Sequence, residues 1–211
     1  MKNGFFVSLE GPDSSGKSTQ LQLLKALLEN KGYRIVVTRE PGGTPIGEKI
    51  RELVLDKDHP EMDDKTESLL YAASRAQHVA EVIKPALEQG KIVICDRFID
   101  SSIAYQGYGR KLGTPVKIIN EYAVGGCMPD ITFLLRLKPE ISELRLKTKN
   151  RDRLENELTD FYNEVYAGYT ELEKMYPNRI VGIDAAASVE AIHAIIKARM
   201  EKILKEEYDV R

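Results

Sequence analysis

Gly11-Pro12-Asp13-Ser14-Ser15-Gly16-Lys17-Ser18-Thr19 fits the pattern G-x-x-x-x-G-K-[ST] and lies between an apolar run, Phe5-Phe6-Val7-Ser8-Leu9, and a helical repeat that starts near Gln20. A strand before this loop and a helix after it are the context in which the pattern works. Glycines let the backbone curl until successive N–H groups point inward, and the helix N-terminus adds partial positive charge. Lys17 is then placed to reach the β- and γ-phosphates of a nucleoside triphosphate, and the Ser18 hydroxyl to ligate Mg²⁺. A glycine-rich turn that binds nothing would need neither the lysine nor the hydroxyl.

Two hundred and eleven residues suffice for one α/β domain with a substantial core, taken here as a single unit over 1–211. The formal net charge of −2 carries no basic excess of the kind a nucleic-acid polymer selects, so an anionic substrate must be held by local arginines. Cys95 and Cys127 are too few for a disulfide framework or a four-cysteine zinc site and read as apolar residues in a reducing compartment. No signal-peptide pattern opens the sequence and no run approaches the ~18 apolar residues of a membrane span. The expected location is the cytoplasm, with no membrane partner.

Apolar periodicity predicts buried strands over 5–10, 33–38, 91–96, 130–137 and 179–183, alternating with helices. The first helix covers 20–30, with Leu21, Leu24, Leu27 and Leu28 as its stripe and Gly32 as its stop. Thr44-Pro45 reads as a cap followed by proline at the first helical position, opening a helix with Ile46, Ile50, Leu53 and Val54 on one face. A long helix over 66–89 contains Pro85 and is expected to kink there. Residues 98–110 form a polar, aromatic stretch without an assigned element. Further helices are predicted over 115–124, 140–147 and 155–175 and from Ser188 onward. Strands alternating with helices imply a parallel sheet covered on both faces.

Ligands of such sheets sit beyond the carboxyl ends of the strands. There this sequence puts Asp13, Arg39-Glu40, Asp96-Arg97 and Asp184. Paired arginines and carboxylates beside a phosphate loop exceed what one triphosphate requires, and a second anionic ligand accounts for them. Asp96 has the strand-end position from which a carboxylate holds Mg²⁺.

The phosphate loop, Thr38-Arg39-Glu40-Pro41-Gly42-Gly43-Thr44, Tyr71-Ala72-Ala73-Ser74-Arg75, Asp96-Arg97-Phe98 and Ser102-Ile103-Ala104-Tyr105-Gln106-Gly107 together resemble the thymidylate kinase family. The resemblance runs from about Phe5 to the last helix. It implies a P-loop nucleoside-monophosphate kinase fold, a five-stranded parallel sheet flanked by helices with a short lid at about 147–155. It also implies transfer of the γ-phosphoryl of Mg·ATP to dTMP, and a homodimer. By the same resemblance, Arg39 and Arg97 grip the acceptor phosphate, Tyr71 stacks on thymine, and Arg75 bonds a thymine carbonyl. Ser74, Ser102 and Gln106 complete the dTMP pocket, Tyr105 favours the deoxy sugar, and Asp13 meets the sugar 3′-hydroxyl or orients an arginine. Arg51 matches a position near the nucleotide, although a solvated helix face explains it equally.

The position after Asp13 is Ser14 rather than the arginine some members carry, while Lys149, Arg151 and Arg153 cluster in the lid. This resembles the bacterial type whose lid supplies the catalytic cation, Arg153 being the first choice and Arg151 the second. Two other readings remain at this stage. Another nucleoside-monophosphate or deoxynucleoside kinase would share the loop, with Glu40 mimicking a base for a sugar hydroxyl. A nucleotide switch would need an Asn-Lys-x-Asp motif, which the sequence lacks, and a later Asp-x-x-Gly, whereas Asp13–Gly16 is its single instance.

Overall fold

The computed structural model describes residues 4–146, 153–154, 157 and 159–208. Strands β1 (Phe5–Glu10), β2 (Ile35–Arg39), β3 (Ile92–Asp96), β4 (Ile131–Arg136) and β5 (Ile180–Asp184) form one parallel sheet in the order β2-β3-β1-β4-β5. The connecting helices are α1 (Lys17–Asn30), α2 (Pro45–Leu55), α3 (Asp64–His78), α4 (Lys84–Glu88), α5 (Ile99–Ser102), α6 (Thr114–Val124), α7 (Pro139–Leu146), α8 (Thr159–Met175) and α9 (Val189–Tyr208). The central strands are buried on both faces, as their unbroken apolar runs require. On one face Leu21, Leu24 and Leu28 of α1 and Ile192, Ile196 and Met200 of α9 pack on Phe5, Val7 and Leu9. On the other, Phe6, Val93 and Cys95 meet Phe98, Val79 and Ile83, with Phe98 edge-on to Phe6 at 4.9 Å.

Several boundaries depart from the sequence reading, each for a local reason. Helix α1 begins at Lys17 rather than Gln20, because Gly16 adopts a left-handed φ of 94° and delivers the chain straight into the helix. The first-turn N–H groups of α1 therefore belong to the phosphate loop. β2 is the sheet edge and half exposed, with Val37 40% accessible, and is not the fully buried strand its β-branched residues suggested. Val54 of α2 is buried and Ile50 packs beside it, but Ile46 and Leu53 are exposed, so the stripe is only half core. The Thr44 cap is as expected, its hydroxyl accepting from Gly47 N–H at 2.9 Å.

The pattern read as one helix over 66–89 is α3, a π-helical turn at Val79–Ile83, and α4. Asp63 caps α3 earlier than expected, through the N–H groups of Lys65 and Thr66. Pro85 has no N–H to give, and the Lys84 N–H reaches back five residues to the Val79 carbonyl, so the helix widens just ahead of the proline. The unassigned stretch 98–110 is α5 followed by a second π-helical turn at Ile103–Gly109, packed closely against α8. Helix α8 is described from Thr159, four residues later than predicted, and 155, 156 and 158 fall outside the described residues.

A buried ion pair fastens this second layer to the sheet. Arg179 donates through Nη1 to Asp100 Oδ2 at 2.6 Å and through Nη2 to Oδ1 at 2.8 Å, with Nη1 also on Thr132 Oγ1 at 2.9 Å. Asp100 is almost fully buried, so removing its partner leaves an uncompensated charge. Arg179→Met is expected to lower unfolding stability by about 3 kcal/mol, read as a shift of the urea midpoint.

Candidate active site

The strand register aligns the carboxyl ends of the central strands: Arg39 pairs with Asp96, and Asp96 with Leu9, next to Glu10 and the loop. The loop geometry depends on glycine. Gly11 has φ 132°, and a Cβ there would sit 2.3 Å from the Leu135 carbonyl oxygen, a backbone atom that cannot yield. Lys17 is buried and its ammonium donates to the carbonyls of Gly11 (3.0 Å) and Pro12 (2.8 Å). Burial, then the like charge of Arg97, pull its pKa down from 10.5 to about 8, opposed by Asp13, Asp96 and Glu10. The hydroxyls of Ser14 and Ser15 are buried and without hydrogen-bond partners among the described residues.

Arg97 is the hub. It holds a left-handed φ of 68° directly after β3 and sends its guanidinium to Gly11 O (2.8 Å), Asp13 Oδ1 (2.9 Å), Ser101 Oγ (3.2 Å), and the hydroxyls of Tyr105 and Tyr169 (3.4 Å each). Burial works against its charge, but Asp13 and then Tyr105, Tyr169 and Asp96 outweigh it and raise its pKa. Burial likewise pushes the Tyr105 hydroxyl up, against Arg97, so it remains a proton donor.

Two open cavities meet at this point. One, of about 970 Å³, is bordered by the loop residues Asp13, Ser14, Gly16, Lys17, Ser18 and Thr19, with Asp96, Arg39 and Arg145. The other, of about 580 Å³, is lined by Tyr71, Arg75, Ser101, Ser102, Tyr105 and Gln106, with Leu55 and Leu154. Asp13, Glu40, Arg51 and Arg97 border both. Most residues singled out from the sequence are thus brought together. Ser74 is not: it is fully buried, and its hydroxyl accepts from the Gly42 N–H at 3.1 Å, steadying the turn after the cis Glu40–Pro41 peptide. Asp184 lies apart as well, accepting from Ala186 N–H.

Arg75 is more structural than its sequence context suggested. Its Nε donates to Glu40 at 2.7 Å, Nη1 to Ser102 at 3.0 Å and to Asn120, and Nη2 to the Phe98 carbonyl at 3.0 Å. Of five guanidinium hydrogens, one on Nη2 remains for the cavity that Arg75 borders. Glu40 is equally committed, its other oxygen meeting His78 Nδ1 at 2.9 Å. Arg39 is half exposed and pairs with Glu48 at 2.8 Å. Arg51 donates to the Pro41 carbonyl at 3.0 Å and so belongs to the site rather than to a solvated face.

Arg153, the lid cation of the sequence reading, lies beside the second cavity's outer wall. It donates to Glu67 Oε2 at 2.5 Å and to the Val54 carbonyl at 3.0 Å, and it does not border the loop cavity. Lys149 and Arg151 fall outside the described residues. Besides Lys17 and Arg97, Arg145 on α7 reaches the loop, donating to the carbonyls of Ser14 (3.2 Å) and Ala185 (3.3 Å). Its place as first member of the Arg145 to Arg153 cationic run was the signal available. Ser101 was marked only as part of the polar stretch 98–110, without a role, and Glu67 and Tyr169 had no signal, since each sits inside a helical pattern.

Asp96 suits a divalent cation. Its Oδ1 is buried without a partner among the described residues, and Oδ2 lies 3.5 Å from Ser18 Oγ. One carboxylate and one hydroxyl are what Mg²⁺ takes from protein when phosphate and water supply the rest.

A parallel sheet in this order, a phosphate loop, and a second polar-aromatic cavity sharing an arginine with it define a P-loop nucleoside-monophosphate kinase. Within that class the sequence profile described as Thymidylate kinase matches residues 9–196, and the chain belongs to the thymidylate kinase family. It is 56% identical over 192 residues to the thymidylate kinase of Exiguobacterium sp., covering 90% of this chain and 91% of that one. The Lactobacillus helveticus thymidylate kinase is 50% identical over 211 residues, covering 96% and 98%. The crystal structure of the Ehrlichia chaffeensis thymidylate kinase superposes with a TM-score of 0.77 at 34% identity, covering 94% and 98%.

Beneath Arg97 lies Glu10, fully buried, accepting from Phe98 N–H (2.6 Å), Ser101 Oγ (2.5 Å), Ser8 Oγ (3.1 Å) and Tyr169 hydroxyl (3.2 Å). Burial first, then the charge of Asp100, raise its pKa from 4.5 to about 7 against the pull of Ser101, Arg97 and Phe98. Between pH 4.5 and 7 the folded chain therefore keeps a proton that the unfolded chain releases, and stability falls as pH rises. Urea melts of wild type and Glu10→Gln across this range should show wild type losing stability relative to the variant up to about pH 7 and levelling off above it.

Proposed function

We propose that this chain transfers the γ-phosphoryl group of Mg·ATP directly to dTMP, giving dTDP and ADP in the route to dTTP. The observation that carries this reading is the shared border of Asp13, Glu40, Arg51 and Arg97, where a donor in one cavity faces an acceptor in the other. Triphosphate enters the loop of Gly11, Pro12, Asp13, Ser14, Ser15, Gly16, Lys17, Ser18 and Thr19, displacing the Lys17 ammonium from the carbonyls that hold it. The buried hydroxyls of Ser14 and Ser15 and the first-turn N–H groups of α1 then find acceptors in phosphate oxygens. Mg²⁺ held at Ser18 and Asp96 would neutralise charge on the β- and γ-phosphates.

The acceptor occupies the other cavity. Arg97 meets its phosphate, joined by Arg39 once that side chain leaves Glu48. Tyr71 offers its ring face to thymine, the remaining Nη2 hydrogen of Arg75 its carbonyl, and Gln106 its amide, while Tyr105 and Ser102 border the sugar and base. Asp13 holds Arg97 in register with both ligands. A guanidinium at the site of transfer stabilises charge spreading over the moving phosphoryl group. For Arg153 to take that role, the lid must close and release it from Glu67 and the Val54 carbonyl.

Glu40 holds Arg75 and His78 with its two oxygens and is poorly free to act as base for a sugar hydroxyl, which favours a monophosphate over a nucleoside acceptor. A built second cavity favours a kinase over a switch. The reduced thiols of Cys95 and Cys127 suit the cytoplasm, and among the described residues no helix is long and apolar enough to cross a membrane. A homodimer is proposed through α3 and α6, which pack together yet leave Leu69, Ile118 and Tyr122 exposed, Tyr122 to 90%.

ADP release from Mg·ATP with dTMP, dUMP, UMP, dCMP, AMP, GMP or thymidine tests the reading. Preferential turnover of dTMP is expected; hydrolysis indifferent to every acceptor would refute a kinase. Sedimentation should give twice the 23.8 kDa chain mass, reverting to that mass on Tyr122→Lys.

A further inference from the structure

Gln106 closes the far end of the acceptor cavity and is itself almost completely buried. The two ends of its amide differ chemically: nitrogen donates two hydrogens and oxygen accepts. What decides the end that faces the cavity is Glu67, a fully buried carboxylate on α3. Its Oε1 receives Gln106 Nε2 at 2.8 Å and Arg110 Nε at 3.4 Å, and its Oε2 receives Arg110 Nη2 at 3.1 Å and Arg153 Nη2 at 2.5 Å. All four contacts come from N–H donors, so the carboxylate serves here only as an acceptor. Turning the amide over would set oxygen against oxygen in a buried site and strand a donor, at the full cost of an unmet buried polar pair.

We propose that Glu67 is a positioning residue for base selectivity: by holding Gln106 Nε2, it presents Gln106 Oε1 to the bound base as an obligate acceptor. Beside it, Arg75 has one donor left. An acceptor next to a donor complements the N3–H and adjoining carbonyl of thymine or uracil. Cytosine offers a bare N3 and an amino group and would leave both protein groups unmatched, the kind of mismatch that discriminates strongly. The inference rests on the dTMP reading of this cavity and adds the residue that sets the amide's direction.

Steady-state kinetics of the full chain with Mg·ATP and dTMP, dUMP or dCMP test it. In Glu67→Gln the new amide can donate to Gln106 Oε1 and permit the turned-over orientation. The expected result is an increase of about tenfold in KM for dTMP with a smaller change in kcat, and a narrowing of the dTMP:dCMP ratio of kcat/KM by about tenfold or more. Glu67→Asp, still acceptor-only, should restore the ratio even where absolute rates fall. Equal losses for dTMP and dCMP in Glu67→Gln would reduce Glu67 to a structural role and overturn the proposal. Should Glu67→Gln fail to fold, Gln106→Met serves instead, and an unchanged ratio there also overturns it. A wild-type enzyme that prefers a purine monophosphate would refute the dTMP reading itself, a result separable from an unchanged ratio in variants of an enzyme that prefers dTMP.

Discussion

The contact on which the rest of this site depends is the grip of the Arg97 guanidinium on the Gly11 carbonyl and the Asp13 carboxylate. It joins the end of β3 to the loop after β1, and so sets the distance between the two cavities. The grip works because Arg97 is forced into it from below. Glu10 takes the Phe98 N–H and the Ser101 hydroxyl, which fixes the chain immediately after Arg97, and Tyr169 closes the same cluster from α8. A buried carboxylate at the strand end, unsuited to its surroundings as an ion, is the cost of holding a strained arginine in place.

A second buried charge cluster does similar work at the other end of the acceptor cavity. Glu67 gathers Arg110, Arg153 and Gln106, while Arg110 also pairs with Asp64 and Glu157 and lies 4.8 Å from the Phe161 ring centre. Side chains from the π-helical turn at 103–109, its end and the segment before α8 thus converge on one carboxylate of α3. The cavity between the two clusters is walled by polar groups whose partners are already assigned, leaving few directions in which each can face a ligand.

The sequence carried the fold well, because both its signals are local. Unbroken apolar strands alternating with amphipathic helices specify a covered parallel sheet, and the loop pattern specifies what stands at its centre. It carried edges poorly: β2 has the composition of a buried strand, and only strand order, a long-range property, reveals that it lies at the rim. The site was legible where a residue type is out of place, as with Arg75 in an apolar helix or Arg97 at a strand end. It was illegible where a polar residue sits at an ordinary helical position, as with Glu67 and Ser74, whose roles come from partners far along the chain. Arg75 shows the intermediate case: the need for partners was readable, but Glu40, Ser102, Asn120 and the Phe98 carbonyl, which supply most of them, were not.

The border shared by the two cavities has a consequence for how such a protein can change over generations. Asp13, Glu40, Arg51 and Arg97 each touch the space of both ligands, so a substitution there alters donor and acceptor handling together. Independent variation is left to the outer ends, the α7 side around Arg145 for one ligand and the Gln106 side for the other. The middle couples the handling of the two ligands, while a change at either margin bears on one of them alone.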